Sequence, residues 1–122
     1  MTEIKISGIR LQRRNDETDF AIFDMNDVNF VTSFKPTKNS ERILLYHTDH
    51  GEYMGVNTLE GVKRLWERYG FVTLDSVNVV NLNNIAYVDE VNFRAYFHDG
   101  SFTTISRSKM ELVKDLPRKT VR

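Results

Sequence analysis

The stretch that most limits how this chain can fold is residues 71–109, FVTLDSVNVVNLNNIAYVDEVNFRAYFHDGSFTTISRSK. An apolar strand region, Phe71 to Leu74 and Val77 to Val80, is interrupted by Asp75-Ser76, and Leu82-Asn83-Asn84 makes a tight connection into a further strand, Ile85 to Asp89. Val91, Phe93, Ala95 and Phe97 fall on one face of the next strand, the alternation expected when one side is buried. Asp99-Gly100 then supplies a two-residue hairpin turn, since glycine takes the positive φ that such turns require. The chain returns through Ser101 to Ile105 and reaches Ser108-Lys-Met-Glu111, a capping-box pattern that predicts a short helix with Met110, Val113 and Leu116 inward, stopped by Pro117.

The first half reads the same way. Residues 4–12 alternate apolar and polar, Arg13 to Asp19 form a polar turn, and strands are predicted at Phe20 to Phe23 and Val28 to Phe34. Lys35 to Arg42 is a loop, longer than a hairpin needs and containing Pro36, which removes a ladder donor. Loops of that kind often carry function. A strand from Arg42 to Thr48 turns at Asp49-His50-Gly51 into Glu52 to Val56. The period then changes: Leu59, Val62, Leu65 and Trp66 share one face of a helix, with Thr58 placed to cap it and Gly70 to end it. About eight strands and two short helices, one central and one C-terminal, predict a single mainly β domain of antiparallel sheets over 1–122, with an N-terminal strand and turn (1–20) and a basic tail (117–122).

At 122 residues the chain is one-domain length and buries enough surface to need no covalent staple. It has no cysteine, which excludes a disulfide framework or a thiolate zinc site and makes a reducing cytoplasm the expected compartment. The charged start lacks the apolar run of a signal peptide, and no stretch approaches a membrane span. Net charge is zero, but residues 101–122 hold six basic side chains against two acidic ones, so the first hundred carry the balancing −4. Such a dipolar chain can present one basic surface. His47 and His50 are the one close histidine pair, and on a strand their spacing puts them on opposite faces. There is no nucleophile elbow, Gly-rich phosphate loop or zincin motif. No enzymatic activity, catalytic residue, cofactor or metal is expected.

Four landmarks in order carry a family resemblance. "MNDVNFV" is similar to a strand entry, "TLEGVKRL" to a single central helix, "FVTLDSVNVVNLNNI" to a signature matching best at Val79-Val80-Asn81-Leu82 and Ile85, and "AYFHDGSFTTISRSKMELV" to a closing hairpin. Together, over Ala21 to Leu116, they resemble the LytTR-type DNA-binding domain of bacterial transcription regulators. The resemblance implies an elongated stack of small β-sheets that reads DNA with loops entering successive major grooves, commonly at paired half-sites bound by two protomers. Carried over by position, the DNA-binding loops are Lys35 to Arg42, with Lys35, Lys38 and Arg42; Thr73 to Ser76, with Thr73 and Ser76; and Ser106 to Lys109, with Arg107, Ser108 and Lys109. Arginine suits a two-pronged contact to guanine, while lysine and a helix N-terminus suit phosphate.

One departure from the family pattern stands out. Where many members have His-Arg-Ser, this chain has Asp75-Ser76-Val77, so Asp75 is expected either to accept from a cytosine amine or to orient Ser76. The length leaves no place for a phospho-acceptor receiver domain, which makes dimerisation, a partner protein or abundance the expected input. The expected function is a sequence-specific DNA-binding transcriptional regulator with double-stranded DNA as partner and a homodimer as its assembly. The competing reading is a degenerate module of the same fold that acts through protein contacts, as partner or antagonist of another regulator.

Overall fold

In the computed structural model residues 4–55 and 59–119 are described, the side chains of Glu60 and Leu65 excepted. The expected cap Thr58 lies outside them, as do residues 120–122 of the C-terminal tail. The strands are β1 (Lys5–Arg10), β2 (Phe20–Asp24), β3 (Val28–Phe34), β4 (Ile43–Thr48), β5 (Gly51–Gly55), β6 (Phe71–Val72), β7 (Val79–Asn81), β8 (Ile85–Asp89), β9 (Arg94–Phe97) and β10 (Phe102–Thr104), with helix α1 at Leu59–Trp66. They form a seven-stranded sheet, β2-β1-β5-β4-β3-β7-β6, and a three-stranded sheet, β10-β9-β8. Every strand pairing is antiparallel, so the mainly β, antiparallel expectation is met.

Strands β3 and β7 are buried on both faces. Val31 and Val79 point into a core with Leu44, Tyr46, Val62 and Trp66, under α1. Phe30 and Val80 point the other way, into a second core with Phe97, Ile105 and Val113, under the small sheet. A bulge between Val28 and Phe30 lets the strand serve both layers. This is why adjacent residues in VNFV and NVVN are apolar instead of alternating with polar ones. The connection after β7 is bolted down by asparagines: Asn81 Nδ2 donates to the Val28 carbonyl (3.1 Å) and Asn84 Nδ2 to that of Asn26 (2.7 Å). Gly55 has no alternative, since a Cβ there would stand 2.4 Å from the buried Tyr46 ring.

Two local expectations change. Val91 and Phe93 are not in a strand. Asp89 accepts from the backbone N–H of Val91 and of Asn92 (both 3.1 Å), which curls the chain, leaves Val91 75% exposed and puts Phe93 at φ 56°. Such Asx turns displace ladder bonding. The C-terminal helix is 3₁₀ over Arg107–Val113, and its N-cap residue is Ser106 with no side-chain cap bond, so the Ser108 capping box does not form. Its inward residues explain this: Met110, Val113 and Leu116 pack on the second core at a spacing of three, the 3₁₀ period.

His47, on β4, lies under the small sheet. Its ring stacks on Phe30 at 4.0 Å, Nδ1 donates to Glu52 Oε2 (2.9 Å), and Nε2 accepts from Thr32 Oγ1 (2.9 Å). Burial pulls the imidazole pKa down to about 4, with Asp99 pulling it up. Glu52 opposes the shift only from a half-exposed position where water screens it. Because the folded value lies below the ordinary one, this stability is complete above pH 6.5 and is lost as pH falls through 4. At about 1.4 kcal/mol per unit, the loss is roughly 1–3 kcal/mol. Asp16 and Asp89, held low chiefly by side-chain hydrogen bonds from Thr18 and Asn92, add their own loss only below the ordinary carboxylate range. Urea midpoints are therefore expected to fall between pH 7 and 4.5 in the native chain and to stay nearly flat in His47→Phe. Parallel curves for the two would refute the assignment.

Candidate nucleic-acid interface

Three loops gather at one end of the sheets, and the strand register brings them there. Val31 pairs with Val79, while β3 continues to Phe34. The outgoing half of β3 therefore overshoots β7 by three residues, about 10 Å at ~3.3 Å each. The loop that enters β7 (73–78) lies beside that overhang, and the loop between β3 and β4 (35–42) projects from its tip.

The second and third loops are welded together by Asn78, which is 1% exposed. Its Oδ1 accepts from the backbone N–H of Leu74 and Asp75 (both 3.0 Å), and its Nδ2 donates to Thr103 Oγ1 (2.8 Å) and to the Thr104 carbonyl (2.9 Å). The amide thus holds one loop with its oxygen and the end of β10 with its nitrogen. Around it, Ser106 N–H donates to the Leu74 carbonyl (2.7 Å), and Thr104 Oγ1 donates to Asp75 Oδ2. Asp75 Oδ1 accepts from Val77 N–H (2.8 Å). Both oxygens of Asp75 therefore accept hydrogen bonds within the fold. Sequence reasoning missed Asn78; the available signal was a lone amide in an apolar run, which must find partners when buried.

The expected contact residues differ in what surrounds them. Lys35, Lys38, Ser76, Arg107, Ser108 and Lys109 are exposed. Among the described residues Lys35, Lys38 and Lys109 make no ion pair. Arg107 lies over the Phe93 ring at 5.5 Å, which gives the turn at Phe93 a role in aiming it. Ser108 Oγ stands 3.4 Å from Ser106 Oγ. Arg42 is exposed but tethered: its Nε donates to Ser33 Oγ (2.9 Å) and its Nη2 to the Ser33 carbonyl (3.1 Å), which clamps the base of the first loop. Thr73 is half-buried, and its hydroxyl is enclosed without a partner among the described residues, behind the loop rather than at its tip.

Across the three loops five cations (Lys35, Lys38, Arg42, Arg107, Lys109) outnumber two carboxylates (Glu41, Asp75). The neutral chain thus has a locally basic end made of hydroxyls, lysines and arginines on a rigid mount. That chemistry suits a polyanion with hydrogen-bonding edges. Among the described residues no group of three or more His, Asp or Glu side chains could hold a metal ion, and no helix is long and apolar enough to cross a membrane.

Comparison with known proteins gives the same direction. The family model described as LytTr DNA-binding domain matches residues 19–117. No curated protein matches. Among solved structures, the chain is similar to the LytTr DNA-binding domain of a protein from Bacillus cereus described as a methyl-accepting/DNA response regulator. The TM-score is 0.63 at 13% identity, over 89% of this chain and 94% of that one. At that identity the likeness speaks for the fold. Strand β1 precedes the matched stretch, yet it joins β2 to the rest of the sheet.

Proposed function

The chain belongs to the LytTR DNA-binding domain family, and we propose that it is a sequence-specific transcriptional regulator that reads the major groove with its three loops. The observation that carries this reading is the Asn78 weld, which turns two separate loops into one rigid element. Preorganised loops lose little entropy on binding. Lys38 and Lys109 supply phosphate contacts, while Ser76, Arg107 and Ser108 face base edges and Arg42 and Thr73 support the loops from behind. The partner is double-stranded DNA carrying repeated half-sites, bound by two copies in the cytoplasm. The competing reading, a module that acts through protein partners, draws on the zero net charge and on Asp75, an acid in the second loop. With both its oxygens bonded inside the fold, that support weakens.

Selection of genomic fragments on the purified protein, scored by fluorescence anisotropy, tests this. The expected result is a repeated motif with half-sites about one helical turn apart. Lys38→Ala and Lys109→Ala should each weaken binding on every duplex by roughly threefold to tenfold and lower the salt slope by about one charge. Arg107→Ala should relax preference at one base pair. Enrichment of nothing above random duplex would favour the antagonist reading, and unchanged slopes in both lysine variants would remove them from the interface.

A further inference from the structure

The sheet edges of this fold are unequal. Edge β6 is two residues long and β10 three. Edge β8 is covered, because Val88 N–H donates to the Pro117 carbonyl (2.8 Å) and Lys119 N–H to that of Val88 (2.9 Å). Edge β2, Phe-Ala-Ile-Phe-Asp, is five residues long and has no lysine, proline or bulge. Those are the devices that keep an exposed edge from pairing. Met25 N–H donates to the carbonyl of Ile4, the residue before β1 (2.8 Å). By strict alternation the backbone groups of Phe20, Ile22 and Asp24 then face away from β1, towards solvent. The side chains of the first two are also uncovered, Phe20 at 65% and Ile22 at 74% exposed. They border a shallow trough that continues over Ile9 and Met54.

We propose that β2 is a self-association surface, at which two copies of this chain pair their β2 edges antiparallel about a two-fold axis through Ile22. In that register Ile22 lies opposite its own symmetry mate and Phe20 opposite Asp24. The Ile22 pair exchanges two backbone bonds, and each Asp24 N–H meets the other copy's Phe20 carbonyl. The Phe20 N–H already donates to the Glu17 carbonyl and is not required. Phe20 and Ile22 of both copies merge into one apolar strip on one face of a continuous sheet. A second copy fits this edge because the outward residues are centred on Ile22, which makes the edge self-complementary, as a two-fold contact demands. Its one charge, Asp24, is neutralised by Lys5 at 2.7 Å, so the axis brings no uncompensated carboxylates together. An edge and apolar strip of this size bury about 500–600 Å² per copy, near the ~1,200 Å² lower limit of stable interfaces, which makes the dimer weak and concentration-dependent.

This inference does not rest on the DNA reading and is tested without DNA. Sedimentation velocity from low micromolar to sub-millimolar protein should show the native chain rising towards twice its monomer mass. Ile22→Lys should remain monomeric at the highest concentration with an unchanged circular dichroism spectrum. The chain has no cysteine, so Ile22→Cys creates a sole thiol whose mate would lie about 5.5 Å away between Cα atoms. A short bis-maleimide should cross-link it at least tenfold faster than the exposed loop control Asn39→Cys. A native chain monomeric throughout, an Ile22→Lys variant that associates like the native chain, or equal cross-linking of the two thiols would each overturn the proposal. A monomer whose β2 edge is occupied by a different protein would overturn it as well.

Discussion

Replacing Asn78 by alanine is expected to lower stability by about 3 kcal/mol, or roughly 10 °C in melting temperature, and to weaken DNA binding beyond what the stability loss explains. Four hydrogen bonds converge on this amide inside the protein. Truncation leaves the Leu74 N–H and the Thr103 hydroxyl without partners in buried surroundings, and the Asp75 N–H and the Thr104 carbonyl without partners where they are partly buried. Each such orphan costs about 1–3 kcal/mol, and local relaxation recovers part of the total. The expected functional effect follows from the same geometry. Once the amide is gone, the Asp75–Thr104 and Ser106–Leu74 bonds alone hold two loops in register, and ordering them falls to the binding step. Asn78→Asp should be no better, since it keeps the acceptor but loses the donors and buries a charge. Urea denaturation beside anisotropy on one fixed duplex decides the matter. A stability loss under about 1 kcal/mol, or an affinity that follows the folded fraction alone, would show that the loops do not depend on Asn78.

The second large effect is expected at Phe30, where truncation to alanine should cost about 3–5 kcal/mol. This ring is 6% exposed and lies between His47 at 4.0 Å and Phe97 at 5.3 Å, where the small sheet meets the large one. Its loss leaves a cavity between two sheets joined there chiefly by side-chain packing. A further signature separates it from an ordinary core deletion. With the stacking ring gone, water reaches His47, the main cause of its depressed pKa disappears, and the pH dependence between 7 and 4.5 should flatten. Phe30→Leu should keep more of both the stability and the slope. A Phe30→Ala variant with the native pH slope would mean that the imidazole is desolvated by something else.

What was legible in the sequence follows from what each residue depends on. Hairpins announced by Asp99-Gly100 and by Asp49-His50-Gly51 are local chemistry, and both strand pairs form there. The helix was marked by its period; it ends at Trp66, and the 3₁₀ turn Glu67–Tyr69 that follows is closed by Gly70 at φ 93°. Val91 and Phe93 misled because alternation speaks for a strand until a neighbouring carboxylate offers the backbone other partners, and Asp89 does so. Ser108 misled because the capping-box pattern presumes α periodicity, whereas the inward residues repeat every three. In the candidate interface, the exposed lysines and serines stand on the loops expected to carry them. Arg42, Thr73 and Asp75 owe their roles to partners 9 to 29 positions away or to burial, and no local pattern encodes that.

The doubly buried pair β3 and β7 also dictates when this protein can become a protein. Val31 and Val79 stand 48 positions apart, and Phe30 is covered only by segments that follow it in the chain. During synthesis at about 5–20 residues per second, β3 emerges several seconds before its second neighbour and its second layer exist. Over that interval the first five strands expose Phe30, Leu44 and Val31 together with the open edge of β3, a surface suited to chaperones and to aggregation. Until residues 74–113 have emerged, the layer that covers Phe30 does not exist.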